Sequence, residues 1–221
     1  MQLIELAKRP TRWSAASPAP LGLRPGDWVE VRSEAEILAT VVSTRNPWSA
    51  PCVAAINPYY GRGDLPIGGP RSKTASNDRS KYAQAIAERC PHRDLGPPEK
   101  LPPAAEIYRQ VLAGQPDGSV VIVTVGDLTN VAELLRLPAD GARPSGLDLV
   151  ERKVRLWACM GGNFLGKPAK DDMKLGNPNF TVDKGNSYYA VQNWPGGTAK
   201  LMFVGRESGS VPSGLQMGRR F

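Results

Sequence analysis

The stretch Val121-Ile122-Val123-Thr124-Val125-Gly126-Asp127-Leu128-Thr129-Asn130 decides the fold class. Val120 to Val125 is a short, continuous apolar run, the pattern of a strand buried on both faces. Gly126 ends it. Leu128, Val131, Leu134 and Leu135 then recur at helical spacing. A buried strand passing through a tight turn into a helix is the unit from which parallel α/β sheets are built.

The same texture recurs on either side. Ile37-Leu38-Ala39-Thr40-Val41-Val42 reads as a second buried strand, Val154 to Cys159 as a third and Leu201 to Val204 as a fourth. Leu65-Pro66-Ile67 reads as a short one. Helical segments are predicted over Ala50 to Ile56, where Asn57-Pro58 disfavours continuation, and over Asp78 to Arg89. Ala104, Ile107, Tyr108, Val111 and Leu112 form one apolar face, with Gly114 placed to end that helix. A last helix is predicted near Lys184–Gln192. The fold expected is α/β: a mostly parallel, Rossmann-like sheet with helices on both faces, incomplete at both ends. The four main strands, near 36–43, 119–125, 154–159 and 199–204, are expected to be neighbours. Ligands of such sheets bind beyond the carboxyl ends of the strands.

Residues 1–33 differ. Pro10, Pro18, Pro20 and Pro25 break any long element, and only Asp27 to Val31 alternates as a strand would. The expected organisation is an atypical, poorly ordered segment over 1–33 and one domain over 34–221.

Composition narrows the function classes. The net charge is +7, but the Lys and Arg residues are scattered without a block of five or six, so a solvated basic surface is expected rather than a nucleic-acid interface. No run reaches the ~18 apolar residues of a membrane span, and Met1 to Pro20 has no continuous apolar core of a secretory signal; a cytoplasmic location is expected. Cys52, Cys90 and Cys159 lack metal-ligand spacing and suit small buried hydrophobes.

Three local patterns invite chemistry and lose to plainer readings. Gly161-Gly162-Asn163-Phe164-Leu165-Gly166-Lys167 has the spacing of a phosphate-binding loop, but Pro168 stands where the magnesium-binding Ser or Thr belongs. His92, the only histidine, lies in a Pro-rich loop with no nucleophile pattern near it. Asp171-Asp172 is flanked by Lys167, Lys170 and Lys174 and reads as a solvated ion-paired loop.

Four segments in order point further: Val41 to Asn46; Ala54-Ala55-Ile56-Asn57-Pro58-Tyr59-Tyr60-Gly61-Arg62 with Asp64-Leu65-Pro66-Ile67; Gly126-Asp127-Leu128-Thr129-Asn130; and Trp157-Ala158-Cys159-Met160-Gly161-Gly162 with the later Asn177-Pro178-Asn179. Together they resemble the inosine/uridine-preferring nucleoside hydrolases over roughly residues 35–215, and it is their order and spacing, not any single motif, that carries the resemblance.

The resemblance implies cleavage of the N-glycosidic bond of ribonucleosides through an oxocarbenium-like transition state. It implies a calcium ion gripping the ribose and an activated water, with an aspartate as general base. Carried over, the ribose contacts fall at Asn46, Met160, Asn177 and Asn179, and a backbone carbonyl ligand to calcium falls at Val125. This chain departs from the family pattern in three ways. The Asp-x-Asp-x-x-x-Asp-Asp signature has only Asp27 in its region, Asn177 replaces a glutamate, and the chain stops at Phe221 before the segment carrying the last metal aspartate. A truncated homologue with impaired or no activity is therefore expected, one that does not hold calcium tightly. The alternatives are a non-catalytic nucleoside- or sugar-binding protein and a truncated product without independent function. The expected partner is a ribonucleoside or related sugar, with neither nucleic acid nor membrane; self-association into a homo-oligomer is open.

Overall fold

The apolar run Val120–Thr124 forms strand β4, in which Val120, Val121, Ile122 and Thr124 are buried. It belongs to a six-stranded sheet seen in a computed structural model that describes residues 2–7, 35–77, 80–96, 98–162 and 177–205. The strands are β1 (Gln2–Ala7), β2 (Ala35–Val41), β3 (Ile67–Gly68), β4, β5 (Val154–Met160) and β6 (Lys200–Val204), and their spatial order is β3-β2-β1-β4-β5-β6. The helices are α1 (Ser49–Tyr59), α2 (Lys81–Arg89), α3 (Ala104–Ala113), α4 (Thr129–Arg136), α5 (Gly146–Lys153), α6 (Pro178–Thr181) and α7 (Lys184–Gln192).

The α/β class and the mostly parallel sheet stand. β2 pairs parallel with β3, β4 with β5, and β5 with β6. One expectation is corrected: β2 and β4 are not neighbours. β1 lies between them and runs antiparallel to both. The structure thus takes Gln2–Ala7 from the atypical amino-terminal segment into the middle of the sheet, so a division at residue 33 does not separate that segment from the domain. The rest of that segment, with the candidate strand at Asp27 to Val31, lies outside the described residues. Asp171, Asp172 and Asn163 to Pro168 lie outside them too.

Consecutive residues of an extended chain point to opposite faces. Val41 packs into a core with Tyr108, Leu112, Leu134, Leu149 and Trp157, drawn from α3, α4, α5 and β5. Val42 packs into a second core with Ala50, Val53, Ala54 and Ile67, drawn from α1 and β3. The sheet is therefore covered on both faces at its centre, whereas the edge strand β6, expected to be buried, leaves Met202 and Phe203 exposed. Trp157 is fully buried, donates from Nε1 to Thr124 Oγ1 at 3.0 Å and packs on Trp194, whose ring centroid is 4.7 Å away.

One helix boundary differs from expectation, and one helix is new. Helix α1 runs through Pro58 to Tyr59. Pro58 sits in the final turn, where its missing N–H costs a single bond, and Asn57 Nδ2 donates to Thr40 Oγ1 at 2.9 Å. Helix α5 was not anticipated, although Ser145 and Asp148 form a reciprocal capping box at its start. Among the described residues no helix is long and apolar enough to cross a membrane.

Candidate functional site

The parallel strands β2 and β4 end at Val41 and Thr124, and the chain beyond each turns outward to line a cavity of about 410 Å³. Val42, Ser43 and Thr44 supply one wall, Val125, Gly126 and Asp127 another, Ser49, Cys52, Val53 and Ile56 of α1 and its entrance a third. Pro178, Asn179 and Val182 line it as well, as do Ser76 and the start of α2 at Ser80, Tyr82 and Ala83. Asn130 fixes the relation of the first two walls. Its Nδ2 donates to the Val42 carbonyl at 2.8 Å, so the Leu-Thr-Asn turn is tied directly to the end of β2.

Residues 71–76 form a strap over these strand ends. Glu133 Oε1 accepts the N–H groups of Arg71 at 2.9 Å and Ser72 at 2.6 Å. Asp127 Oδ2 accepts the Ser76 N–H at 2.8 Å. Asp183 Oδ2 accepts the Thr74 hydroxyl at 3.1 Å, the Thr129 hydroxyl at 2.6 Å and Asn186 Nδ2 at 2.8 Å. The strap is closed on its far side by the Arg45 N–H, which donates to the Ser76 carbonyl at 2.7 Å.

The electrostatics of these carboxylates diverge. Burial raises the pKa of Asp127 above the usual carboxylate value, opposed by the Ser76 N–H and reinforced by the charge of Asp183. Burial likewise raises Glu133. Burial acts on Asp183 as well, but its hydrogen bonds from Thr129, Asn186 and Thr74 outweigh it and hold the carboxyl below its ordinary value. Cys52, in the cavity wall, has its thiol pushed up by burial, so it is a neutral wall group rather than a nucleophile. His92 is exposed, with Nδ1 2.9 Å from the Arg93 carbonyl and Nε2 3.1 Å from the Ala87 carbonyl.

The residues carried over from the resemblance are distributed as follows. Val125 and Asn179 line the cavity. Met160 lies behind Asn179: its carbonyl accepts Asn179 Nδ2 at 2.8 Å, and its sulfur is 3.4 Å from the same nitrogen. Asn177 caps the start of α6, accepting the Asn179 N–H on Oδ1 at 3.0 Å, and is absent from the cavity wall. Asn46 lines a neighbouring cleft that shares Val42 and Thr44 with the cavity. The structure therefore brings Met160, Asn177 and Asn179 together, sets Val125 in the same cavity wall as Asn179, and places Asn46 one cleft away.

Asp127 was given no role by the sequence, although it is the acidic residue within the stretch that decided the fold. Its signal was position alone: it stands directly after a buried strand, where ligands of such sheets are met. Calcium requires six to eight oxygen ligands, several of them carboxylates. The donors of this wall do not fit it: hydroxyls, one amide and Asp127, whose Oδ2 already accepts the Ser76 N–H. Among the described residues no three His, Cys, Asp or Glu side chains converge.

No model of a known protein family matches the chain. No curated protein matches it either.

Proposed function

We propose that this chain is a nucleoside hydrolase homologue that binds a ribonucleoside or related sugar in the cavity at the ends of β2 and β4, and that it cleaves the N-glycosidic bond poorly or not at all. The observation that carries the reading is Asn179. It sits in the cavity wall with its amide braced on the Met160 carbonyl, and these are two of the residues to which the resemblance assigns ribose contacts. A cavity of about 410 Å³ falls within the range of roughly 300–1,000 Å³ typical of small-molecule sites. Hydroxyls of Ser43, Thr44, Ser49 and Ser76 alternate in its wall with Val42, Val53 and Ile56, which suits a polyol with an apolar ring face.

Turnover needs more than binding. Positive charge developing on the ribose calls for anionic groups aimed at it, and the attacking water calls for a base or a metal. Asp127 is the carboxylate in the wall, and its Oδ2 is engaged in holding the strap.

The test pairs calorimetric titration of uridine and inosine with an assay of their hydrolysis, with and without added calcium. Binding without measurable turnover is expected. Turnover of about one per second, an ordinary enzymatic rate, would overturn the second half of the reading. Absence of binding by either nucleoside would overturn the first.

A further inference from the structure

Beside this cavity lies a cleft of about 640 Å³ that shares Val42 and Thr44 with it. Its charge is lopsided. Arg45, Arg71 and Lys73 face a single carboxylate, Glu99. Arg45 and Lys73 are exposed and enter no ion pair among the described residues. Arg71 donates one guanidinium nitrogen to the Leu101 carbonyl.

Asn46 adds a second, independent sign. It is 6% exposed and lines the cleft. Its Oδ1 accepts the Trp48 N–H at 2.9 Å, while its buried Nδ2 has no hydrogen-bond partner among the described residues. A buried amide N–H left without an acceptor is costly, because the hydration it loses is not replaced. The cleft thus sets three cations against one carboxylate, with a buried amide donor that has no acceptor in its wall, so it calls for negative charge and for an acceptor. A phosphate group supplies both, through charge-assisted hydrogen bonds that are the strong ones.

We propose that this cleft binds the phosphate of a ribose phosphate, so that the ligand of the paired cavities is a nucleotide or sugar phosphate rather than an uncharged nucleoside. The proposal rests on the ribose reading of the adjoining cavity. The shared wall at Val42 and Thr44 puts a sugar in one cavity next to a phosphate in the other.

The full-length chain is titrated calorimetrically with uridine 5′-monophosphate, ribose 5-phosphate, uridine, ribose and inorganic phosphate. Each phosphorylated ligand is expected to bind at least about tenfold tighter than its unphosphorylated counterpart, with the gain shrinking as salt is added. A nucleotide preference over ribose 5-phosphate identifies a nucleotide ligand; equal affinities identify a sugar phosphate. The double variant Arg45→Ala with Lys73→Ala, whose side chains are exposed, is expected to lose the gain and keep uridine affinity. A control removing the same charge elsewhere, Arg152→Ala with Lys184→Ala, is expected to keep the gain. Equal binding of uridine and its monophosphate overturns the proposal, as does equal loss in both double variants. Inorganic phosphate binding that depends on Arg45 and Lys73, with neither uridine nor ribose bound alone, sustains the phosphate cleft and sinks the ribose reading instead.

Discussion

Asn130 Nδ2 donates to the carbonyl of Val42 across 88 residues of chain, and the bond is buried. It ties the first turn of α4 to the end of β2, and so holds the cavity walls after β2 and β4 in register. Asn130→Ala leaves the Val42 carbonyl without that donor. A loss of about 1–3 kcal/mol is expected from a buried group so deprived, read as a lower urea midpoint with an unchanged m-value.

Asp127 and the pH dependence of folding are linked with an unusual sign. Its folded pKa is raised, chiefly by burial, above the ordinary value of 3.8. Between 3.8 and the raised value the folded chain holds more protons at this site than the unfolded chain, so its contribution to stability grows as pH falls through that window. At neutral pH the ionised carboxylate is a burden. Asp127→Asn keeps an oxygen for the Ser76 N–H and removes the charge. The variant is expected to match or exceed the parent in stability at pH 7, and the parent to gain on it as the medium is acidified. Urea titrations of both proteins over a pH series check this.

Asp183 behaves oppositely. Its folded pKa is lowered from 3.8 because hydrogen bonds from Thr129, Asn186 and Thr74 outweigh burial. Its stabilising contribution is present above 3.8 and is lost as pH falls through the lower folded value. Asp183→Asn weakens charge-assisted bonds, so a loss of about 2 kcal/mol is expected at pH 7. The gap between parent and variant should close in acid, where that for Asp127→Asn widens in the parent's favour.

Gly161 faces Phe180 so closely that an added Cβ would stand 2.1 Å from the ring's Cε2. Phe180 adjoins Asn179, the residue in the cavity wall. Gly161→Ala must therefore push the ring and α6 aside, with an overpacking cost of about 1–3 kcal/mol. Uridine affinity is expected to fall along with stability. By contrast Gly185→Ala, where an added Cβ meets nothing within 4 Å, should spare both. Thermal unfolding and nucleoside titration of the two variants separate these outcomes.

The strands β2, β4 and β6 were legible because each carries a continuous apolar run, and β5 because its run is interrupted only by Arg155. Helix α3 was legible because five apolar residues share one face. Strand β1 was not. Gln2-Leu3-Ile4-Glu5-Leu6-Ala7 neither alternates strictly nor runs apolar throughout, and it takes its place by pairing with strands distant in the chain. The pairing slips register between Ile4 and Glu5, which no local pattern announces. Of the residues that the resemblance groups in one cleft, Met160 at the end of β5 and Asn179 are hydrogen-bonded, whereas Asn46 lines a different cleft. Asp127, Glu133 and Asp183 escaped notice because single carboxylates at irregular spacing acquire meaning only when a loop such as 71–76 lies across them.

The position of β1 governs how the molecule comes together. The pair β3-β2 and the trio β4-β5-β6 touch within the sheet only through Gln2–Ala7, which is paired on one side to residues 35–41 and on the other to residues 120–124. Residues 2–7 must therefore wait for partners encoded far downstream, and such non-local pairing slows folding. The two halves meanwhile expose facing strand edges, each a template for an intruding chain. A free peptide spanning these early residues should compete for that slot, and a chain lacking them should regain its sheet when the peptide is supplied in trans.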